Sequence, residues 1–231
     1  MSLSTELFPP NLEEIPAVLS ALFETIQIAF VGTIIGFVLS IPAAALALRT
    51  AFPSYITAPT RALLALVRTI PALFWAVLFV IAVGLGPLAG TLAVSVYSLG
   101  YLSKLFYEAF EAVDQDTLDA LRCAGASSLA LVRYAVIPES LNTIFSQLLF
   151  MFEYNVRAST VLGFVGAGGV GFLMINYIET LRYSSLTTVI MMTLMVVVAV
   201  DYFSGRLRKM VLPEVRIKTP PPLKTRTTPR P

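Results

Sequence analysis

Histidine is absent from this 231-residue chain, cysteine and tryptophan occur once each, and only 13% of the residues are charged. Without histidine, metal centres and imidazole-dependent acid–base or nucleophilic catalysis lose their principal side chain. Ser159, Thr160 and Cys123 accordingly have no imidazole to activate them. The single cysteine excludes an internal disulfide and a thiolate metal cluster. There is no Gly-x-x-x-x-Gly-Lys-Ser/Thr loop, so nothing in the sequence can cradle the phosphates of ATP. The shortage of charge says most, because a soluble domain carries about 25% charged residues.

What fills the space is apolar. Hydrophobic residues make up 57% of the chain, mean hydropathy is +0.81, and the apolar residues are blocked into long runs. Thr25 to Leu48 holds no charge; its roughly 24 residues match one crossing of a ~30 Å hydrocarbon core. Thr69 to Ser103 is uncharged over about 35 residues, too long for one crossing, and the turn signal Gly84-Leu85-Gly86-Pro87 divides it. The sequence thus predicts an all-α integral membrane protein with spans at about 22–48, 61–83, 88–106, 139–165 and 186–204. Arg61 and Arg68 fall in the first turns of the second span, where their long stems allow the guanidinium groups to reach water. Residues 1–20 form a leader with Glu6, Glu13 and Glu14 and no Lys or Arg, whereas Arg49, Arg61, Lys104, Arg122, Arg133, Arg206, Arg208 and Lys209 gather on the other side. That asymmetry predicts the amino terminus outside and the carboxyl terminus in the cytoplasm. The start has no basic stretch, so a cleaved signal peptide is not expected. Residues 210–231, rich in Pro, Thr, Lys and Arg, read as a disordered cytoplasmic tail.

Between the third and fourth spans lies a polar island, residues 108–139, with too many charges to cross a bilayer. Asp114 or Asp116 can cap a short helix, Gly125 can end it in a left-handed conformation, Ser127 or Ser128 can cap the next turns, and Pro138 can open the fourth span. Two short helices at a corner follow, presenting Leu118, Leu121, Cys123 and Ala124 to a partner groove. Asp119-Ala120-Leu121, three residues, Gly125, nine residues and Ala135-Val136-Ile137-Pro138 resembles the EAA loop of binding-protein-dependent ABC importer permeases. That pattern has Glu-Ala-Ala, three residues, Gly, nine residues, then Ile-x-Leu-Pro. The spacing is intact, while Asp119, Leu121, Ala135 and Ile137 depart mildly in type. Arg68-Thr69-Ile70-Pro71 with Trp75, and Asn155 to Gly163 running into Gly166-Ala167-Gly168-Gly169-Val170-Gly171, narrow the resemblance to phosphonate, phosphite and phosphate importers.

The resemblance implies a type I permease fold over residues 21–209 and a transport subunit rather than an enzyme. It also implies a second permease copy or paralogue, two cytoplasmic ATPase subunits carrying ATP and Mg, and an extracytoplasmic solute-binding protein. No cofactor bound by the chain itself, no metal and no nucleic acid are expected. Asp119, Ala120, Leu121, Gly125, Ile137 and Pro138 would form the ATPase-coupling loop.

Other residues suggest the path. Glu153 and Arg157, four apart in the favourable order for a helical ion pair, lie deep in the fourth span, where a charge must face the bundle or water. Either Arg157 lends positive potential to an anion path with Glu153 orienting it, or the pair only locks the span to its neighbours. Arg68 is a further path candidate, as an inner gate or exit contact. Asp201 is expected to pair with Arg206 or Arg208. Gly32-x-x-x-Gly36, continued by Ser40, Ala44 and Ala47, offers a small-residue packing stripe. Gly166, Gly168, Gly169 and Gly171 contain a formal dinucleotide fingerprint, but the flanking βαβ context is missing, and a flexible outer segment fits better. Alternatives are a permease for methionine or an organic cation, or an ion-coupled secondary transporter, although the chain shows no internal repeat.

Overall fold

The computed structural model describes residues 9–211; the tail expected to be disordered lies outside the described residues, apart from 210 and 211. Helix α1, Ile15–Leu46, begins well before the expected first span. A 3-10 turn, Leu12–Glu14, capped by the Asn11 side chain, leads into it. Its start is tied to a distant corner: Glu14 accepts from the Tyr177 hydroxyl at 2.5 Å and pairs with Arg182.

The expected straight span over 61–83 is instead two helices, α2 (Ser54–Thr69) and α3 (Ala72–Val83), bent by 86°. The cause is Pro71, which drives the preceding residue out of the helical region: Ile70 sits at φ −78, ψ 119. Arg68 therefore lies in the last turn of α2, and Arg61 near its middle, not in the first turns of a span. Helix α3 reaches only about 18 Å, too short to cross alone.

Helix α4, Pro87–Glu111, is the centre of the bundle and packs against α1, α2, α3 and α7 (Ile137–Leu162). Three helical stretches among the described residues are long and apolar enough to cross a membrane, Leu12–Leu46, Val132–Val165 and Tyr183–Met210, with the bent pair as a fourth. Helix α4 has the length but less hydropathy. Its Ser95, Ser98 and Ser103 are buried against neighbouring helices, so little of it needs to match lipid.

Small residues set the central contact. A Cβ on Gly32 would sit 2.6 Å from Val94 Cγ1, and one on Gly36 would sit 2.5 Å from Ser98 Cβ. Ser40, Ala44 and Ala47 are fully buried on the same stripe, so α1 and α4 approach almost backbone to backbone. At the crossing of α1, α4 and α7, the Asn155 amide donates to Thr33 Oγ1 (2.7 Å) and Ser98 Oγ (2.8 Å).

After α4 come α5 (Gln115–Cys123), α6 (Ser128–Leu131), one π-helical turn (Val132–Val136) and α7. Helix α8, Val170–Glu179, was not anticipated; α9, Tyr183–Val211, completes the bundle. The glycine segment before α8 is not a flexible outer loop: residues 166–171 are buried. Gly166, Gly168 and Gly169 take positive φ, a Cβ on Gly90 would meet Ala167 O at 2.4 Å, and Gly86 N donates to Gly166 O at 2.8 Å. Glu24 and Thr25 of α1 accept from Gly169 N (2.9 Å) and Val170 N (2.8 Å). They satisfy donors that the start of α8 would otherwise bury unpaired.

Candidate functional site

Two places carry the chemistry, a docked corner at one end of the bundle and a charged stripe near its middle. In the corner, the Asp114 side chain accepts from Asp116 N and caps α5. Arg122, paired with Asp119 at 2.8 Å, sits in the last turn, where a cation suits the helix dipole. Gly125 then turns the chain at φ +82, a left-handed conformation that a side chain would strain. Ser127 Oγ accepts from Ala130 N at the next helical start. Pro138 stands in the first turn of α7, where a missing N–H costs nothing.

Leu118 does not face outward as expected. It is 6% exposed and packs with Val113, Ala135, Val136, Phe110 and Leu121. The period of α5 explains this: turning Leu118 onto the start of α7 leaves Asp119, Ala120, Arg122, Cys123, Ala124 and Gly125 exposed. Ile137 and Pro138 are also exposed. A bond from Asp114 N to the Glu139 carboxylate (3.4 Å) ties the cap of α5 to α7. Nearby, Arg61 donates from Nε to Ala47 O (2.8 Å), pairs with Glu111 (2.5 Å) and lies over the Tyr107 ring at 4.2 Å. Arg61 thereby ties the middle of α2 to the ends of α1 and α4, and Phe110 and Val113 carry the contact from there to Leu118.

In the stripe, Glu153 and Arg157 are not each other's partners. Glu153 pairs with Arg208 at 3.0 Å, and Arg157 pairs with Asp201 at 2.5 Å, each joining α7 to α9. The expected pairing of Asp201 with Arg206 or Arg208 is likewise replaced. Residues four apart on α7 point the same way, so both meet the facing helix more easily than each other. Their depth follows from Asn155, whose partner Ser98 lies about 16 Å from Pro87 and about 20 Å from Glu111 along α4. The α7 side of the stripe lies level with the middle of α4, while Arg208 reaches it from the last turn of α9. Arg157 and Asp201 nevertheless keep side-chain exposures of 48% and 41% in the single chain. Charges this deep and this open require water or a polar protein surface beside them.

Arg68 is half-buried, and its backbone N lies 3.2 Å from the position a Cβ on Gly100 would take. Charge returns on α4 at Lys104, about 6 Å beyond Gly100, so the Arg68 guanidinium can reach the polar end of the bundle. Sequence reasoning missed Asn155, Thr33 and Ser98. The only signal was an amide in an apolar helix, with hydroxyl residues in two others.

Residues 36–216 match the family described as binding-protein-dependent transport system inner membrane component. The permease protein HtxC of Stutzerimonas stutzeri is 38% identical over 212 residues, 91% of this chain and 75% of that protein. The phosphite transport system permease protein PtxC of the same organism is 36% identical over 209 residues, 90% and 76% of the two chains. The phosphate-import permease protein PhnE of Mycolicibacterium smegmatis is 39% identical over 206 residues, 88% of this chain but 39% of that longer protein. Among solved structures, the MetNI methionine ABC transporter in inward-facing conformations superposes with a TM-score of 0.76 at 20% identity, over 87% of this chain and 99% of that one. At that identity the likeness establishes the fold. Family match, relatives and fold agree: the chain belongs to the inner membrane components of binding-protein-dependent transport systems.

Proposed function

We propose that the chain is the membrane-spanning permease subunit of an ATP-driven importer and forms the translocation path for a phosphonate or related phosphorus oxyanion. The observation that carries the substrate class is the 36–39% identity, over about nine-tenths of the chain, to permeases named for phosphite and phosphate transport. A solute-binding protein delivers the anion outside. Two ATPase subunits, holding ATP and Mg, dock on the corner at Asp119 to Pro138, and a second permease copy or paralogue completes the path. The chain binds no cofactor of its own.

The corner faces the cytoplasm and the amino terminus lies outside. The Arg61 guanidinium and the Arg49 backbone N–H meet Glu111 at the corner end, where Lys104, Arg122 and Arg133 also lie, whereas Arg182 joins Glu14 at the opposite end. Closure and separation of the ATPases move α5, and the packing of Leu118 and the Glu139 contact pass that movement to α7. Arg157 and Arg68 are then the positive groups beside the path, and selectivity resides mainly in the binding protein. The buried glycine segment supports the outer ends of α1 and α4.

The test is ligand binding by the partnering solute-binding protein, comparing methylphosphonate, phosphite and phosphate with methionine and betaine. Preference for a phosphorus oxyanion supports the assignment. Preference for methionine or betaine overturns it.

A further inference from the structure

The four charges between α7 and α9 form a closed set of two cations and two anions. Two features make it unlike a simple lock. Each pair is held by one N–H···O bond, from a terminal nitrogen of Arg157 to Asp201 and of Arg208 to Glu153. A guanidinium has five donors in a fork that fits two oxygens at once. The Nε of Arg208 is buried and has no hydrogen-bond partner among the described residues. The pairs thus leave unused the donor capacity that a carboxylate in ideal register would take up. Second, Arg157 and Asp201 stay about half exposed in the single chain, so a solute can reach them first, while Arg208 is 34% and Glu153 13% exposed behind them.

We infer that Asp201 and Glu153 are exchangeable counter-ions of a two-arginine station, and that a passing phosphorus oxyanion takes their place on Arg157 and Arg208. The inference rests on the translocation-path reading above. A tetrahedral phosphorus oxyanion offers three terminal oxygens, so with one oxygen shared it can give each guanidinium the two-point contact that its carboxylate does not. On α7, Glu153 and Arg157 are one turn apart; on α9, Asp201 and Arg208 are two turns apart. The crossed pairs place both guanidinium groups in the same seam between α7 and α9. Bare arginines at this depth would hold an anion too tightly to release it, because conduction needs binding weak enough to leave. The carboxylates keep the empty station neutral, which lowers the cost of placing charge in the membrane, and return to the arginines when the anion departs. Asp201 and Glu153 thereby set affinity without holding the anion themselves.

The experiment uses the purified importer with its ATPase subunits, without the solute-binding protein, and measures equilibrium binding of radiolabelled phosphite. Wild type should bind weakly. Asp201→Asn should bind about tenfold tighter or more, since a competing close charge is gone, and Asp201→Asn with Arg157→Gln should lose that gain. Reconstituted with the binding protein, Asp201→Asn should turn over more slowly, and Asp201→Glu should restore the wild-type rate. Unchanged phosphite affinity in an assembled Asp201→Asn importer overturns the inference. So does failure of both Asp201→Asn and Glu153→Gln to assemble with the ATPase, because the pairs would then be structural locks. ATP-driven phosphite uptake by the wild type is scored separately: its absence sinks the substrate reading, whereas its presence with unchanged variant affinity sinks only the station.

Discussion

Leu118→Ala should release the corner from the bundle while leaving the spans intact. Leu118 is 6% exposed and is the central side chain of a small cluster formed with Val113, Ala135 and Val136, backed by Phe110 and Leu121. Truncating a buried leucine costs about 2–5 kcal/mol, and a small cluster at the bundle's end can relax around the void, so about 3 kcal/mol is expected here. That cost raises the local opening equilibrium roughly 150-fold. Helix α5 has only nine residues, and isolated helices of that length are marginal in water, so losing the anchor should melt it. Amide hydrogen exchange followed by mass spectrometry would show this as faster exchange over residues 115–124. Residues within α1 and α4 should be unchanged, because their contacts lie elsewhere. Thr117→Ala, at an exposed position of the same helix, should have little effect. If exchange over 115–124 is the same in Leu118→Ala and wild type, the packing does not hold the corner, and the route by which movement reaches α7 must be abandoned.

Other residues give further tests. Gly36→Leu should prevent α1 and α4 from packing, because even a Cβ would lie 2.5 Å from Ser98 Cβ and 2.9 Å from Ser95 O; Gly36→Ala should cost about 1–3 kcal/mol, read as thermal stability in detergent. A double-mutant cycle of Asn155→Ala with Ser98→Ala should give a coupling energy of about 0.6–1.7 kcal/mol, the range for interhelical hydrogen bonds in membranes; a zero coupling contradicts the bond. Gly125→Val, a β-branched side chain at φ +82, should lower co-purification of the ATPase subunit without changing the thermal stability of the spans.

The apolar runs made the membrane class and most helices legible, because lipid leaves a chain few options besides long helices. Cap chemistry made the corner legible in detail, down to Asp114, Gly125 and Pro138, since those constraints are local. What the sequence hid was pairwise and non-local. Glu153 and Arg157 satisfy a good i,i+4 rule, yet each pairs instead with a residue of α9, 55 and 44 residues away respectively. Helix period gives α5 an apolar face but not its direction, so the sequence suggests Leu118 as partner-facing and the cluster with Ala135 and Val136 turns it inward. The Ile70-Pro71 break was open to prediction from the proline rule, but the uncharged run masked it. The glycine segment looked mobile for want of side chains, whereas its backbone is packed against Gly90 and capped by Glu24 and Thr25.

The most direct measurement of the central claim is uptake of radiolabelled phosphite or methylphosphonate into proteoliposomes holding this chain and its ATPase subunits, with the solute-binding protein outside and ATP inside. The account predicts uptake that requires ATP, the binding protein and an ATPase able to hydrolyse, and that survives collapse of every ion gradient. Uptake that continues without ATP and follows an imposed ion gradient would contradict it.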